Sequence, residues 1–268
     1  MKIKLGFSPC PNDTFMFDAL VHEKIDTEGL IFDVILADIE QLNKWSIEGI
    51  LDATKISYSA FLFCHQKYII LDSGSALGNN CGPILVKKKD TIFNKKSVIA
   101  IPGEFTTANM LFSFAFPDNN VKKEVLFSQI EDFVLTDKVD AGLLIHENRF
   151  TYQNKGLVKI KDLGEYWEET TRLPIPLGSI VVKRKFPDSE KQKIQRVIRR
   201  SIQYAFNNPL SSREYVKRHA QEITDSIIEK HIKLYVNEFS ISLKNKAKRA
   251  VLKMFEGKGI DMDNMFYK

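Results

Sequence analysis

Residues 173–183 read LPIPLGSIVVK, in which two prolines precede a β-branched run at 179–183. Because proline lacks a backbone donor, the first half predicts a crossing between structural units and the second half a strand. The chain beyond this stretch is predominantly helical and carries too few strands for a sheet of its own. We therefore expect it to pack back on the first part of the protein. The predicted helices of this part are 188–207, 211–220, 224–236 and 242–256.

Short apolar runs alternate with helical patterns in the part of the chain that precedes this crossing. Such alternation predicts a mostly parallel sheet with helices on its faces. The stretch SGSALGNNCG at 73–82 predicts a glycine-rich turn between two strands. The predicted strands are 2–7, 31–37, 52–57, 68–72, 83–88, 97–101, 139–145 and 157–163, and the predicted helices are 12–22, 38–48, 58–65, 106–116 and 122–132.

Two crossings, near 86–90 and 175–180, divide the chain into two predicted lobes. The first is a discontinuous α/β lobe of residues 1–88 plus 178–268, which includes the C-terminal helices. The second α/β lobe, residues 89–177, is inserted into it. A chain of 268 residues is long enough for two lobes of about 100–150 residues each. The prediction is a bilobed periplasmic-binding-protein-like (type 2) α/β fold, which holds its ligand in the cleft between lobes.

Composition argues against several classes of function. Hydrophobic residues make up 44% of the chain, charged residues 27%, and the net charge is +5, which is ordinary globular usage. The basic residues are dispersed and form no patch interleaved with aromatics, so we expect no nucleic-acid partner. Neither a secretory apolar region nor a run of about 20 apolar residues is found, so we expect a cytoplasmic protein without a membrane partner.

The sequence also lacks the patterns that bind common cofactors. The three cysteines form no CxxC pair, which argues against a cysteine zinc site. His146-Glu147 does not extend to HExxH, and Gly74, Gly78 and Gly82 fit neither GxGxxG nor a phosphate loop. No GxSxG elbow occurs. The sequence therefore predicts that no cofactor and no metal is needed.

Small polar residues and one histidine follow the predicted strands. Open α/β sheets bind ligands beyond the carboxyl ends of their strands. Ser57 ends one strand, Thr106, Thr107 and Ala108 open a helix after another, and His146 ends the strand at 139–145. The free N–H groups of a helix start favour an anion. Helix capping is the alternative role of Ser57 and Thr106.

The remaining candidates have simpler interpretations. Cys10 is a possible nucleophile, but a small buried thiol is the more ordinary role for it. Asn12 and Asp13 are interpreted first as helix caps. The other histidines fall late in predicted helices or after them, and we interpret them as surface or packing residues. They are His22, His65, His219 and His231.

Six segments of the first 185 residues resemble the 1,4-dihydroxy-6-naphthoate synthase family in order and spacing. The SPCPND and GxxxGxxCGP patterns are the most specific of them. One departure is Thr171-Arg172, where the family pattern has a glycine, and it affects the hinge more than the site. The segments are GFSPCPNDTFMFDALVH at 6–22, DATKISYSAF at 52–61, SGSALGNNCGPILV at 73–86, IPGEFTTANMLF at 101–112, DAGLLIHENRFTY at 140–152 and LGEYWEETTRLPIPLGSIVV at 163–182.

The resemblance implies a lyase that converts cyclic dehypoxanthine futalosine, a small anionic molecule, to 1,4-dihydroxy-6-naphthoate in menaquinone biosynthesis. Aromatisation drives such a reaction, so the enzyme mainly removes a proton and positions the substrate. A neutral imidazole suits that role. The implied site residues are Lys55, Ile56 and Ser57 from the first lobe, Thr107 and Ala108 from the second lobe, and His146 as the proton acceptor.

Two other functions are compatible with the predicted fold. Chorismate dehydratase of the same pathway shares the bilobed architecture, and a cleft formed by strand ends does not separate the two enzymes. A non-catalytic cytoplasmic small-molecule binding protein is the alternative from a different class. The SPCPND and GxxxGxxCGP segments favour the synthase over the dehydratase, and the missing export signal argues against a transport protein.

Overall fold

Two β-sheets organise the part of the chain that the structure describes. The structure is a computed structural model that describes residues 1–220 and 224–267. The strands of the first sheet are β1 (Lys2–Phe7), β2 (Ile31–Leu36), β3 (Ala53–Ser57), β4 (Tyr68–Ile70), β5 (Ala76–Gly78) and β11 (Ile175–Lys183). The strands of the second sheet are β6 (Ile84–Lys88), β7 (Ile99–Ile101), β8 (Lys122–Glu124), β9 (Ala141–Leu144) and β10 (Leu157–Asp162).

Both sheets are mixed. In the first sheet, with order β2-β1-β3-β11-β4, β1 runs parallel to β2 and β3, whereas β11 runs antiparallel to β3, β4 and β5. In the second sheet, with order β10-β6-β9-β7-β8, β6 is antiparallel to both neighbours. The prediction of a mostly parallel sheet is therefore wrong. Strands β6 and β11, which follow the two crossings, are antiparallel to the neighbouring strands with which they pair.

The pairing places the first crossing earlier than the sequence suggested and the second at the start of the predicted range 175–180. Strand β6 pairs with β9 and β10, so residues 84–88, predicted in the first lobe, lie in the second sheet. Ile175 pairs with Gly78 in the first sheet, although the predicted second lobe ran to residue 177. The chain thus leaves the first sheet after β5 and returns to it at the start of β11. Prolines do not prevent this pairing, because β11 is interrupted by a register shift after Pro176.

Eleven α-helices among the described residues surround the sheets. Most of them match the predicted helices to within a few residues at each end. Short 3-10 helices occur at 127–129, 146–150 and 152–155. The α-helices are α1 (Pro11–Val21), α2 (Ile39–Glu48), α3 (Tyr58–Cys64), α4 (Thr107–Ala115), α5 (Ile130–Leu135), α6 (Leu163–Thr171), α7 (Asp188–Asn207), α8 (Arg213–His219), α9 (Asp225–Tyr235), α10 (Glu238–Ile241) and α11 (Asn245–Phe255).

The predicted helix at 122–132 is wrong in its first half. Residues 122–124 instead form β8, which pairs in parallel with β7 at the edge of the second sheet. Charged side chains of the sequence Lys-Lys-Glu suit an edge strand, because they discourage pairing with another chain. The helix starts only at Ile130, after a 3-10 turn.

The C-terminal helices pack mainly on the first sheet and its helices. Helices α7, α8 and α9 contact α1, and α11 contacts β11. Helix α9 also contacts the 3-10 helix at 146–150, which follows β9 of the second sheet. The helical tail therefore lies against both sheets, close to the end of the strand that carries His146.

Gly82, the glycine of the CGP segment, has no room for a side chain. A Cβ atom at Gly82 would lie 2.2 Å from the backbone nitrogen of Gly164 and 2.3 Å from its Cα. Real Cβ atoms do not approach backbone that closely, so any side chain here would push α6 away. The two glycines let the segment between β5 and β6 pack backbone to backbone against the first turn of α6.

Candidate active site

A cavity lies between the two sheets and is lined by residues from both. Its volume is about 650 Å³, including the space open to solvent at its mouth, which is in the range of small-molecule sites. All of the predicted site residues except Ile56 line it. The lining residues are Ser8, Asn12, Asp13, Ile39, Lys55, Ser57, Ala76, Cys81, Pro83, Thr106, Thr107, Ala108, Ile145, His146, Leu177, Gly178 and Tyr235.

Strand β3 places Lys55 and Ser57 in the cavity and Ile56 outside it. Successive side chains of a strand point to opposite faces, so residues two apart share a face. Ile56 is fully buried in the main hydrophobic core and does not line the cavity. Its side chain therefore lies away from the cavity, and a substrate contact at Ile56 stays a prediction.

Lys55 and Asp13 form a buried ion pair at the floor of the cavity. The Lys55 Nζ lies 3.3 Å from Asp13 Oδ1 and donates a hydrogen bond of 2.9 Å to the carbonyl of Gly74. Asp13 accepts further hydrogen bonds from the backbone and hydroxyl of Ser8, at 3.1 and 2.8 Å, and from Asn12 Nδ2 at 2.8 Å. This many partners compensate the burial of both charges, and they fix the Lys55 ammonium in place.

Ser57 precedes α3 but does not cap it. No side-chain capping bond is formed at this position. Instead Asn43 donates to the Ser57 Oγ at 3.2 Å, and its Oδ1 accepts from the Ser57 N–H at 2.9 Å. With Asn43 as a donor to the Oγ, the Ser57 hydroxyl keeps its own proton for an acceptor in the cavity. The geometry therefore supports a ligand-binding role over the capping role.

The start of α4 presents backbone donors to the cavity. The Thr106 side chain caps this helix by accepting from the Asn109 N–H at 3.2 Å, and its hydroxyl donates to Gly103. The Thr107 hydroxyl donates to the carbonyl of Leu177 at 2.7 Å. Both threonine hydroxyls are thus occupied. The backbone N–H groups of Thr107 and Ala108, in the first turn, have no intrahelical acceptor and are the groups suited to an anion.

His146 lies at the end of β9 in an unusual backbone conformation. Its φ of 56° lies in the left-handed region, which a non-glycine residue adopts at a cost of about 1–3 kcal/mol. The Phe127 ring meets its imidazole edge to face at 4.9 Å. The His146 Nε2 is buried and has no hydrogen-bond partner within the described part of the chain. Burial lowers the His146 pKa to about 4, with Asp13 opposing and Lys55 adding to the shift, so the ring is neutral near pH 7.

The strand does not continue through residue 147. A 3-10 helix starts at His146, so the alternation of side chains along a strand does not apply to Glu147. Glu147 is 4% exposed, and its Oε2 lies 3.6 Å from the Nδ1 of His231. The left-handed turn at His146 brings two consecutive polar side chains to the same region.

His231, interpreted from the sequence as a packing residue, lies at the candidate site. It is fully buried on α9, and its ring stacks on that of His146 with centroids 6.0 Å apart. Its Nε2 donates to Asn12 Oδ1 at 2.9 Å, and Asn12 in turn donates to Asp13. Burial, with the neighbouring His146 and Arg149, holds the His231 pKa well below its usual value. No sequence pattern pointed to this residue, because only the fold of the tail brings α9 to the cleft.

The other histidines are away from this cavity. His22 hydrogen-bonds the Asp18 backbone and His65 the Leu62 backbone, each within its own helical segment. His219, at the end of α8, packs on Tyr215. The interpretation of these three as surface or packing residues agrees with their positions.

The bilobed architecture is that of the periplasmic-binding-protein-like class. The periplasmic aliphatic sulphonate binding protein SsuA of Escherichia coli superposes with a TM-score of 0.67 at 8% identity, with 100% of this chain and 92% of that chain covered. At this identity the likeness shows the fold alone. A solved structure from Archaeoglobus fulgidus matches with a TM-score of 0.90 at 34% identity, over 96% of this chain and 98% of that one.

The chain belongs to the menaquinone biosynthesis family, whose match covers residues 3–257. A 1,4-dihydroxy-6-naphthoate synthase of Thermus thermophilus is 41% identical over 253 residues, which are 94% of this chain and 92% of that protein. The resemblance found in the sequence and the predicted fold class are both confirmed. None of the helices in the described ranges is long and apolar enough to cross a membrane.

Proposed function

We propose that this protein is a carbon–carbon lyase that converts cyclic dehypoxanthine futalosine to 1,4-dihydroxy-6-naphthoate. The family match and the 41% identity to a protein of that name support this function over chorismate dehydratase and over a non-catalytic binding protein. We also propose that it acts in the cytoplasm, without a nucleic-acid or membrane partner. The two predicted lobes would close on the substrate from both sides of the cavity.

One observation carries the proposal: a neutral imidazole with an unpartnered nitrogen lines the cavity. His146 Nε2 has no hydrogen-bond partner in the described residues, and burial holds the ring neutral at pH 7. A general base must be unprotonated and within reach of the proton that it accepts. His146 meets the first condition, and its place in the cavity lining gives it access to a bound molecule. Proton transfer to its ring starts the cleavage, and aromatisation of the product drives it.

The cavity also offers groups for the substrate carboxylate. The free backbone N–H groups of Thr107 and Ala108 favour an anion at the start of α4. The Ser57 hydroxyl faces the same cavity from the first sheet, with its proton available. We propose that Lys55 attracts the anion without losing its contact to Asp13. Two walls of the cleft then contact one molecule, which positions it against His146.

Incubation of the purified protein with each candidate substrate tests this function. The cyclic substrate should yield 1,4-dihydroxy-6-naphthoate, identified by its mass and aromatic absorbance, while chorismate should remain unchanged. Activity should survive exhaustive chelation and dialysis, since we propose no cofactor. Turnover of chorismate, or binding of the cyclic substrate without any product, would instead support one of the alternatives.

A further inference from the structure

Two buried ionisable side chains lie beside His146 without a role in proton removal. Cys10 precedes α1 in the first sheet's half of the molecule, and Glu147 follows β9 of the second sheet. Each is 4% exposed. One ligand atom from each of Cys10, His146 and Glu147 lies within 4.8 Å of the others. A thiol, an imidazole and a carboxyl therefore meet beside the cavity, of which His146 is a lining residue.

These three groups form a donor set that suits one kind of cation. Thiolate, imidazole and carboxylate are the ligands of zinc sites, and three protein ligands leave a fourth position open. A thiolate excludes the hard cations Mg²⁺ and Ca²⁺, which prefer oxygen donors. One thiolate and one carboxylate together balance a 2+ charge. Because His146 lines the cavity, a cation held by its imidazole would lie next to the space where substrate would bind.

We infer that Cys10, His146 and Glu147 form a site for Zn²⁺ that inhibits the enzyme by occupying its base. Zinc bonds of about 2.0–2.3 Å place tetrahedral ligand atoms roughly 3.5 Å apart, so the side chains need to close by about 1 Å. Binding converts the Cys10 thiol to a thiolate and releases one proton to solvent. The imidazole then donates its lone pair to the metal, and it can no longer accept a proton from the substrate.

The surroundings favour a cation over an anion at this point. The carboxylates of Glu147 and Asp38 lie near the Cys10 thiol, whereas the charge of Asp13 is balanced by Lys55. A bound cation supplies the missing positive charge, which is how metals stabilise buried thiolates. The neighbouring Lys55 does not oppose this strongly, since its ammonium is already paired with Asp13.

Cobalt substitution tests the site without any turnover. Co²⁺ added to the metal-free protein should give a thiolate-to-cobalt charge-transfer absorption in the near ultraviolet, which Zn²⁺ abolishes by displacement. The absorption should persist in Cys81→Ser, whose thiol lines the same cavity, and in Cys64→Ser, a buried thiol elsewhere. It should be lost in Cys10→Ser, and His146→Asn should weaken Co²⁺ binding at least about 10-fold.

The inhibitory part rests on the proposed function, but the binding part does not. If the protein proves active, micromolar Zn²⁺ should reduce its rate and a chelator should restore it. Absence of the absorption in the wild type, or its persistence in a folded Cys10→Ser, would overturn the site. Should Cys10→Ser fail to fold, unchanged Co²⁺ affinity in His146→Asn would overturn it equally. If the site binds Co²⁺ but no cyclic substrate is turned over, the proposed function fails and the metal site stands.

Discussion

The imidazole rings of His146 and His231 stack at a centroid distance of 6.0 Å with 19° between their planes. The two residues lie on different parts of the fold, since His146 follows β9 and His231 lies on α9. Phe127 contacts the His146 ring edge to face, and His231 is thus the second aromatic ring that packs against it. A hydrogen bond from His231 to Asn12 holds the His231 ring against α1. The helical tail thus positions the proposed base.

Replacement of His231 by Gln should lower kcat while changing KM little. Glutamine keeps an N–H donor for Asn12 but removes the ring that packs on His146. A poorly oriented base costs up to about 100-fold in rate. Steady-state kinetics measure this loss, with His219→Gln as a control on a helix away from the cavity. A kcat that stays normal while the melting temperature falls would show that His231 is only structural.

The contribution of α9 illustrates what the sequence does not reveal. His146 is predictable because an apolar strand leads to it. His231 is on an amphipathic helix of ordinary composition, and its position depends on how the tail folds back over both sheets. Periodicity marks it as a buried residue at most. A long-range contact of this kind follows from tertiary packing and has no local signal.

Strand β3 shows both the success and the limit of local patterns. Its bounds and the placement of Lys55 and Ser57 in the cavity agree with the sequence-based prediction. The family resemblance also implied Ile56 as a site residue, although the alternation of side chains along a strand directs its side chain to the core. The mixed sheet directions were also missed, because pairing partners and their polarity are properties of the assembled sheet.

Removal of the Ser57 hydroxyl should weaken substrate binding. If it donates to the substrate carboxylate, Ser57→Ala should cost about 1.5–3 kcal/mol, the value of a hydrogen bond to a charged group. The matched control is Ser59→Ala, which removes a buried hydroxyl two residues further along the chain, in α3 and outside the cavity lining. Isothermal titration with a slow substrate analogue measures the difference. Equal affinities in both variants would leave Ser57 with a structural role toward Asn43 alone.

Substitution of Gly103 should destabilise the contact between the two halves. Its φ of 154° is unfavourable for a side chain, and a Cβ atom there would lie 2.3 Å from the Glu40 carboxyl carbon. Both Glu40 oxygens accept from the Phe105 N–H, at 3.1 and 3.2 Å. Gly103→Ala should therefore cost roughly 1–3 kcal/mol of unfolding free energy. Chemical denaturation of Gly103→Ala, Glu40→Ala and the double variant separates steric clash from backbone strain.

Acidification should affect activity and stability in different pH ranges. The free-enzyme His146 pKa of about 4 keeps the base neutral to near pH 5, so kcat/KM should fall only close to pH 4 on its account. An unfolded histidine has a pKa near 6.5, so between these values the unfolded chain binds more protons than the folded one. The unfolding free energy should therefore decrease as the pH drops from 6.5 toward 4. A fall in kcat/KM centred at pH 6.5, with the fold intact, would contradict the low pKa.

Replacement of His146 by Asn should abolish most turnover while leaving substrate affinity largely unchanged. Loss of a general base removes about 100- to 10,000-fold in rate, and asparagine keeps a polar side chain of similar reach without a basic nitrogen. The structure weakens the two substitute bases, Asp13 in the cavity lining and Cys10 beside it. Burial raises the pKa of the Cys10 thiol, so it rarely ionises, and Asp13 is engaged by Lys55, Ser8 and Asn12.

Single-turnover kinetics with saturating cyclic substrate isolate the proton-transfer step from product release. The measurement compares wild type, His146→Asn and the control His65→Asn. Asparagine also tolerates the left-handed backbone conformation that His146 adopts, so the variant should keep its fold and its melting temperature. The expected pattern is a slow chemical step in His146→Asn alone, with an unchanged dissociation constant. A near-normal rate would remove His146 from the mechanism, and Asp13 would then be the base to test, because its carboxylate faces the same cavity.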